Sequence, residues 1–352
     1  MISKGLFLRV KESLNDKQNG PYCIDLVVSD YCNFRCLYCS GSLPHSHKSN
    51  WSRGVLTKTL DAAMKLHVQE ISLTSLIGEP TVFKDIKYLM EEIKKRDFVG
   101  TLLTNGSTLD LGLAEFMKKI EWDVLIISLD SFDPGIQYKL RPGLDKKNYL
   151  EKVIEFLDFT AEHNTKLNVN LNMVVNNLNY KHVYDYFKKA QSYGVKNITL
   201  LKLANMNDNY ERFILNDAQK MEFKDMLKNM NTPIYFNSLE WLGGHNVNAG
   251  HPDTAVIKTE ARKDCYFHLY KILIDCNGQV VKCNGDPQET QFNVNDDDLY
   301  DIYYNLLDTY KDLRTDASCW EICCSPIKAL NQEIGYYLAK GMAESKNEAP
   351  IK

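Results

Sequence analysis

The stretch "YCIDLVVSDYCNFRCLYCS", residues 22–40, decides how the rest of the chain is read. Its first eight residues form an apolar, β-branched run of strand character. Cys32, Cys36 and Cys39 follow at C-x3-C-x2-C spacing, three thiols in one short loop at the carboxyl end of that strand. Zinc sites close with four ligands, commonly in CxxC-type pairs, and this loop offers three. His45 and His47 come soon after, so a Cys3His zinc site is one reading. The other is an iron–sulfur cluster in which one iron has no protein ligand.

Outward from this loop, short strand-like runs alternate with helical periodicity. Strands are predicted at 22–29, 70–76, 99–105, 123–129, 166–175 and 196–203, and helices near 55–68, 83–96, 110–119, 147–163 and 180–193. Six strands with intervening helices imply βαβ units and a parallel sheet, in an α/β fold. The strands read as almost continuously apolar, as expected when helices cover the outer face and side chains fill the inner one. A partial barrel and a doubly wound sheet both satisfy the pattern. After residue 203 the alternation stops. Residues 204–264 are mixed and include the turn-rich "WLGGHNVNAGHPD" (241–253), where His245 and His251 have no partner at metal spacing and read as loop residues. "YKILIDCNGQVVKC" (270–283) reads as a hairpin turning at Asn277-Gly278. Helices follow near 298–313 and 326–343.

The bulk properties exclude several function classes. With 44% hydrophobic and 25% charged residues among 352, the chain is an ordinary globular protein, long enough for one large and one smaller domain. A net charge of -4 gives no electrostatic basis for capturing nucleic acid or an anionic membrane. Apolar runs such as "DVLIISLD" (123–130) are too short to span a bilayer, and the N-terminus lacks the features of a cleaved export signal. A cytoplasmic protein is expected. Ten cysteines in a large chain without an export signal favour metal ligation in a reducing compartment over disulfides. No P-loop, G-x-G-x-x-G or G-x-S-x-G is present.

The cysteine loop, with Tyr38 directly before the last cysteine, resembles the signature of the radical SAM superfamily. The resemblance implies that Cys32, Cys36 and Cys39 hold a [4Fe–4S] cluster whose fourth iron is chelated by S-adenosylmethionine (SAM). Reductive cleavage of SAM there yields a 5′-deoxyadenosyl radical. "LIGEP" (76–80) resembles the GGEP-type motif that cradles the SAM amino group; Ile77 replaces the first glycine, while Gly78, Glu79 and Pro80 remain. "LLTNGS" (102–107), containing Asn105, ends the third strand in a loop similar to the family's. "ISLDS" (127–131) places Ser128 and Asp130 where the family contacts the SAM ribose or carboxylate. "KLRPG" (139–143) supplies Arg141, resembling the arginine that pairs with the SAM carboxylate, for which a guanidinium fork is well shaped. All of these fall at carboxyl ends of predicted strands, where barrels and open α/β sheets keep their active sites. The implied architecture is a partial (β/α)6 TIM-like barrel over residues 22–203. It follows an N-terminal extension (1–21) and leads through a connecting segment (204–264) into a small α+β domain (265–345).

That last region carries the second cysteine patch. Cys265, Gly278 and Cys283 are spaced C-x12-G-x4-C, which resembles the opening of SPASM and twitch auxiliary-cluster domains. "SCWEICCSP" (318–326) adds Cys319, Cys323 and Cys324. The resemblance implies one auxiliary [4Fe–4S] cluster on Cys265, Cys283, Cys319 and either Cys323 or Cys324, with a structural zinc site as the alternative. Cys23 reads as buried core. Cys276 and Cys324 are spare thiols; some family epimerases return a hydrogen atom from such a cysteine, which makes both candidate hydrogen donors.

The family chemistry is hydrogen-atom abstraction from an unactivated C–H bond. Only 31 residues precede Cys32, too few for a separately folded peptide-recognition module. The expected substrate is therefore a small polar molecule of sugar or cyclitol type, oxidised or epimerised, with a reductant such as flavodoxin or ferredoxin as partner. A ribosomal peptide is the alternative substrate, and a non-catalytic iron–sulfur or zinc protein the alternative class.

Overall fold

The computed structural model describes residues 4–15, 19–39, 49–74, 78–143, 148–163, 165–195, 197–203, 208–228, 235–236, 264–283, 288–310, 319, 330–335 and 338. Its first half alternates strand and helix. After α1 (Lys4–Asn15) come β1 (Cys23–Val27), α2 (Arg53–Lys65), β2 (Glu70–Thr74), α3 (Ile86–Lys95) and β3 (Val99–Thr104). Then follow α4 (Leu111–Lys119), β4 (Val124–Ser128), α5 (Pro134–Leu140), α6 (Tyr149–Glu162), β5 (Asn168–Val175), α7 (Val183–Ser192) and β6 (Asn197–Lys202). The second half contains α8 (Tyr210–Phe213), α9 (Asp217–Lys228), β7 (Tyr235–Phe236), α10 (Phe267–Tyr270), β8 (Lys271–Ile274), β9 (Gln279–Val281), β10 (Glu289–Asn293) and α11 (Leu299–Thr309).

Helix starts follow local chemistry. Ser52 Oγ accepts from Val55 N–H at 3.2 Å ahead of α2, and Asp110 Oδ1 accepts from Leu113 N–H at 2.7 Å ahead of α4. Asp133 caps α5, whose first residue is Pro134, a position where the missing N–H costs nothing.

β1 to β7 lie in sequence order as parallel neighbours, and β8 adds parallel to the free edge of β1, with Cys23 opposite Lys271. β9 and β10 continue antiparallel, so the hairpin predicted as the start of a separate region shares one ten-stranded sheet with the barrel strands. Gly278 makes the hairpin turn at φ 79°, and a Cβ there would stand 2.4 Å from Asn295 Nδ2. The partial-barrel expectation is met. The helix α1 within the N-terminal extension, and α5, α8, α9, α10, β7 and β10, were not expected from the sequence. Val10 of α1 is fully buried, and Arg9 Nη2 donates to the His67 carbonyl at 2.9 Å. Among the described residues no helix is long and apolar enough to cross a membrane.

The two faces of the sheet differ. Ile24, Leu26, Ile71, Leu73, Leu125, Ile127, Leu171, Met173, Ile198 and Leu200 share one face through the parallel register and are buried. Each fully buried aliphatic side chain of this kind contributes about 1.5–3 kcal/mol, so this helix-covered face holds the strands in place. The opposite, concave face is unlike the apolar filling expected from the sequence. It carries Asp25, Glu70, Ser72, Thr101, Ser128, Asn168, Asn170, Asn172, Thr199 and Lys271 interleaved with Val27, Val99, Leu103, Val124, Ile126, Val174, Leu201 and Leu273, so it is mixed in character. In β5 the alternation is strict, Asn-Val-Asn-Leu-Asn-Met, with each asparagine on the face that is not buried.

Candidate active site

The cysteine loop leaves β1 at its carboxyl end and is fastened to two neighbouring loops. Arg35 N–H donates to the Pro142 carbonyl at 2.5 Å, and Leu37 N–H to the Leu140 carbonyl at 3.0 Å; Phe34 bridges Gly143. On the other side Asn33 Nδ2 donates to Ser107 Oγ at 2.7 Å, and Asn105 Nδ2 donates to Asn33 Oδ1 at 3.0 Å. The "TNGS" and "KLRPG" segments therefore act first as clamps on the loop. Cys32 Sγ accepts from Phe34 N–H at 3.4 Å and from Asn105 Nδ2 at 3.6 Å.

Cys32, Cys36 and Cys39 are free thiols, each partly exposed. Burial pushes the Cys36 thiol up to about 12, with the Arg141 cation pulling the other way and Cys39 and Cys32 adding to the rise. Burial also raises Cys32. Ligation to a metal overrides such a rise, because a coordinating thiol is deprotonated outright. Among the described residues no three His, Cys, Asp or Glu side chains converge on a single ion. The thiols stand within electrostatic reach of one another, one loop presents all three, and N–H groups already point at Cys32 Sγ. These residues fit an iron–sulfur cluster, which the three thiolates would hold. His45 and His47 lie outside the described residues.

Tyr38, Asp130 and Arg141 form one buried unit. Arg141 Nε donates to Asp130 Oδ2 at 2.7 Å and Arg141 Nη2 to Oδ1 at 3.1 Å; Val174 N–H donates to Oδ1 at 2.9 Å. Tyr38 Oη donates to Oδ2, and the Arg141 guanidinium stands 5.9 Å from the Tyr38 ring centroid. Asp130 and Arg141 are 0% and 6% exposed, so the pair is withdrawn from water. Two arms of the fork that the resemblance assigns to a SAM carboxylate are thus engaged by an internal carboxylate, leaving Nη1 as the arm not so occupied. Gln137 Oε1 accepts from the N–H groups of Asp130 and Ser131, each at 3.0 Å, which fixes the loop after β4. Neither Gln137 nor Tyr149, whose hydroxyl donates to the Asn105 carbonyl at 2.8 Å, was singled out in the sequence.

Glu79 is 1% exposed, and its carboxylate is used up by the loops around it. Oε1 accepts from Thr81 N–H at 3.0 Å and from Thr104 Oγ1 at 2.6 Å; Oε2 accepts from Asn105 N–H at 2.6 Å. Burial raises its ionisation point and these bonds pull it back. It ties the turn that begins at Pro80 to the end of β3. At Gly78 a Cβ would fall 2.1 Å from the Ser29 carbonyl oxygen, backbone that cannot swing away. Gly78→Ala should therefore cost about 1–3 kcal/mol, read as a lowered urea midpoint, because an added methyl has nowhere to go. Ile77 lies outside the described residues. Ser128, the last residue of β4, sits on the concave face.

The second patch lies at the other end of the strands. Cys265 precedes α10 and β8, and Cys283 follows β9, so both sit near the amino end of β1. Burial raises the Cys265 thiol; Asn331 Nδ2 donates to its sulfur at 3.6 Å, and Cys283 and Cys319 are close enough to add to the rise. Cys265 thus stands within electrostatic reach of Cys283 and Cys319, and Cys323 and Cys324 lie outside the described residues. The five residues of β1, at about 3.3 Å each, separate the two ends by about 16 Å, with the concave face between them. Near the amino end that face carries Lys271 Nζ at 2.9 Å from both Asp25 oxygens, and Glu70 Oε1 accepting from Thr101 Oγ1 at 2.8 Å. Cys23 shares this face, its sulfur 3.6 Å from Asp25 Oδ1, so its surroundings are charged as well as buried. Cys276 is 6% exposed in the hairpin turn and belongs to the apolar core; burial and the nearby Asp30 push its thiol up to about 12.

The model of the Radical SAM superfamily matches residues 26–209, and the chain belongs to that superfamily. It is a radical SAM enzyme, of a family whose cofactors are a [4Fe–4S] cluster and SAM. The GTP 3',8-cyclase of Haemophilus influenzae (strain PittEE) is 28% identical over 207 residues, 56% of this chain and 59% of that protein. The probable GTP 3',8-cyclase of Pyrococcus abyssi is 33% identical over 168 residues, 47% of this chain and 51% of that protein. An S-adenosylmethionine-dependent nucleotide dehydratase of Lacinutrix mariniflava is 26% identical over 209 residues, 58% and 44% of the two chains. The chain thus matches less than two thirds of the length of these relatives. Among solved structures, Streptococcus suis SuiB bound to S-adenosylmethionine is similar with a TM-score of 0.63 at 16% identity, over 91% of this chain and 75% of that one. Native anSMEcpe with bound AdoMet gives 0.61 at 15% identity, over 91% and 98%. These two likenesses concern the fold.

Proposed function

We propose that this radical SAM enzyme removes a hydrogen atom from a C–H bond of a small polar substrate held on the concave face of the sheet. The observation that carries the reading is the series of polar side chains on that face between the two groups of thiols, from Asp25, Glu70 and Lys271 to Ser128 and Asn172. Cys32, Cys36 and Cys39 hold the cluster that, together with SAM, supplies a 5′-deoxyadenosyl radical. Tyr38, Asp130 and Arg141 fix the loop that carries these cysteines. Glu79 and Asn105 set the turns beside it, and Gly78, Pro80 and Ser128 border the SAM side. Cys265, Cys283 and Cys319, with Cys323 or Cys324, hold an auxiliary cluster of twitch type in residues 265–345, while residues 22–203 carry the SAM half.

The substrate is a hydroxyl-bearing molecule: a free sugar, a cyclitol or a nucleotide. The nucleotide option is supported by relatives named as a GTP cyclase and a nucleotide dehydratase. The reaction is oxidation or epimerisation at a carbinol carbon. The test is anaerobic reconstitution, reduction and addition of SAM with a panel of nucleotides, nucleotide sugars and cyclitols. Release of 5′-deoxyadenosine is expected, with about eight irons per chain for two clusters. A product at the substrate's oxidation level carrying one solvent hydrogen marks epimerisation, and a carbonyl product marks oxidation. Turnover of a peptide alone would overturn the small-substrate reading. No 5′-deoxyadenosine under any condition would favour a non-catalytic metal protein.

A further inference from the structure

Asn105 directly follows β3, two strands away from β1 and its cysteine loop, and is 8% exposed. Its backbone is fixed on both sides: the N–H donates to Glu79 Oε2 at 2.6 Å, and the carbonyl accepts from Tyr149 Oη at 2.8 Å. The side chain is fixed as well. Oδ1 accepts from Ser107 N–H at 2.8 Å, which decides the orientation of the amide and turns Nδ2 toward the loop. Nδ2 carries two hydrogens, and the geometry uses both. It donates to Asn33 Oδ1 at 3.0 Å and to Cys32 Sγ at 3.6 Å. The same sulfur accepts from Phe34 N–H at 3.4 Å. Two N–H groups thus converge on one sulfur, one supplied by the loop itself and one reaching in from a different strand.

We infer that Asn105 sets the reduction potential of the cluster held by the cysteine loop, by donating a hydrogen bond to the Cys32 thiolate. This rests on the reading that Cys32, Cys36 and Cys39 hold that cluster. A reduced cluster carries one more negative charge than an oxidised one, and its ligating sulfurs share that charge. An N–H aimed at such a sulfur favours the reduced form and raises the potential. The buried Glu79 carboxylate lies within electrostatic reach of Cys32 and acts in the opposite sense. The clamp on the loop is a separate contact: it uses the other hydrogen of Nδ2, and Asn33 is itself tied to Ser107 Oγ at 2.7 Å. Loop position and sulfur charge can therefore be separated by the choice of variant. Asn105→Asp keeps the size of the side chain and the acceptor for Ser107 N–H. Asn33 can turn its amide to donate to the new carboxylate, and the Ser107 hydroxyl can donate in return, so the clamp survives. The Cys32 sulfur then faces an anion in place of a donor.

The experiment uses the anaerobically reconstituted full chain carrying Cys283→Ala, which removes the auxiliary signal and leaves about four irons per chain. Samples poised with dithionite and redox mediators are read by electron paramagnetic resonance without SAM. At the potential where half of the unmodified loop cluster is reduced, Asn105→Asp should lower the ratio of reduced to oxidised cluster by about tenfold, the scale of one hydrogen bond to a charged group. For a one-electron couple that is a midpoint about 59 mV more negative. Asn105→Ala, which removes the donor and adds no charge, should shift that ratio in the same direction by about threefold. Asn33→Ala cuts the clamp alone; it should change the ratio by less than about twofold while speeding the loss of iron to a chelator. The inference is overturned if both Asn105 variants, loaded with iron, titrate at the unmodified midpoint. It is equally overturned if Asn33→Ala lowers the midpoint as far as Asn105→Asp does, because the position of the loop then sets the potential. Failure of both Asn105 variants to load iron that Asn33→Ala retains also overturns it, since Asn105 then builds the site rather than tuning it. Absence of an iron–sulfur signal from the unmodified loop instead refutes the underlying reading of the three cysteines.

Discussion

Cys36→Ala should lower the iron content of the reconstituted protein from about eight to about four per chain and bring 5′-deoxyadenosine release down to the level without enzyme. Cys36 is the middle thiol of its loop, and no other cysteine among the described residues stands at this end of β1 to replace it except its two neighbours in the loop and Cys276. Cys276 is committed to the core of the hairpin turn and is not placed to serve. A cluster left with two protein ligands loses the geometry that keeps one iron free for SAM. The matching change in the second patch, Cys283→Ala, should also remove about four irons. It should spare SAM binding, since the two patches lie at opposite ends of the strands. Iron, sulfide and 5′-deoxyadenosine assays on both variants check the pair. Retention of full iron content in Cys36→Ala would contradict the assignment.

The second large effect is on stability. Asp130→Ala should lower the unfolding free energy by about 3–5 kcal/mol, because it leaves the Arg141 cation buried at 6% exposure without its partner. Val174 N–H and the Tyr38 hydroxyl lose an acceptor in the same step. Replacing both partners with apolar residues, Asp130→Leu with Arg141→Met, should recover most of that loss, as paired removal of a buried ion pair is often near neutral. It should not recover the cluster: without the Tyr38 anchor the cysteine loop is free to move, and bound iron should be lost faster on exposure to a chelator. Urea titration and chelator-release kinetics separate the two contributions. Equal stability of Asp130→Ala and the unmodified protein would show that the pair does not hold the loop.

The strands and helices of the barrel were legible because their hydrophobic periodicity is strong. The six predicted strands agree with β1 to β6 within two residues at each end. Less legible was anything that depends on what a side chain meets across the sheet. The sequence "NVNLNMVV" (168–175) states its alternation openly, yet an almost continuously apolar strand was expected, so the polar side chains of the concave face were missed. Arg141 reads in isolation as a carboxylate binder; that the carboxylate is Asp130, brought to it across α5, is a consequence of the folded backbone. The hairpin at 270–283 was read from its Asn-Gly turn, but its docking on β1 was not, because pairing between distant strands leaves no local trace. Helix α1 gains its place through Val10, a contact that its own sequence does not announce. The two cysteine patches were legible as patches because ligand spacing is a property of the chain, whereas their separation along β1 is not.

The most direct measurement is electron paramagnetic resonance on the reduced, reconstituted protein with and without SAM, using Cys283→Ala to remove the auxiliary contribution. The account predicts a reduced [4Fe–4S] signal that changes on addition of SAM, because one iron of the cluster in the Cys32–Cys39 loop takes SAM as its ligand. A signal unmoved by SAM, or zinc in place of iron in that loop, would contradict it.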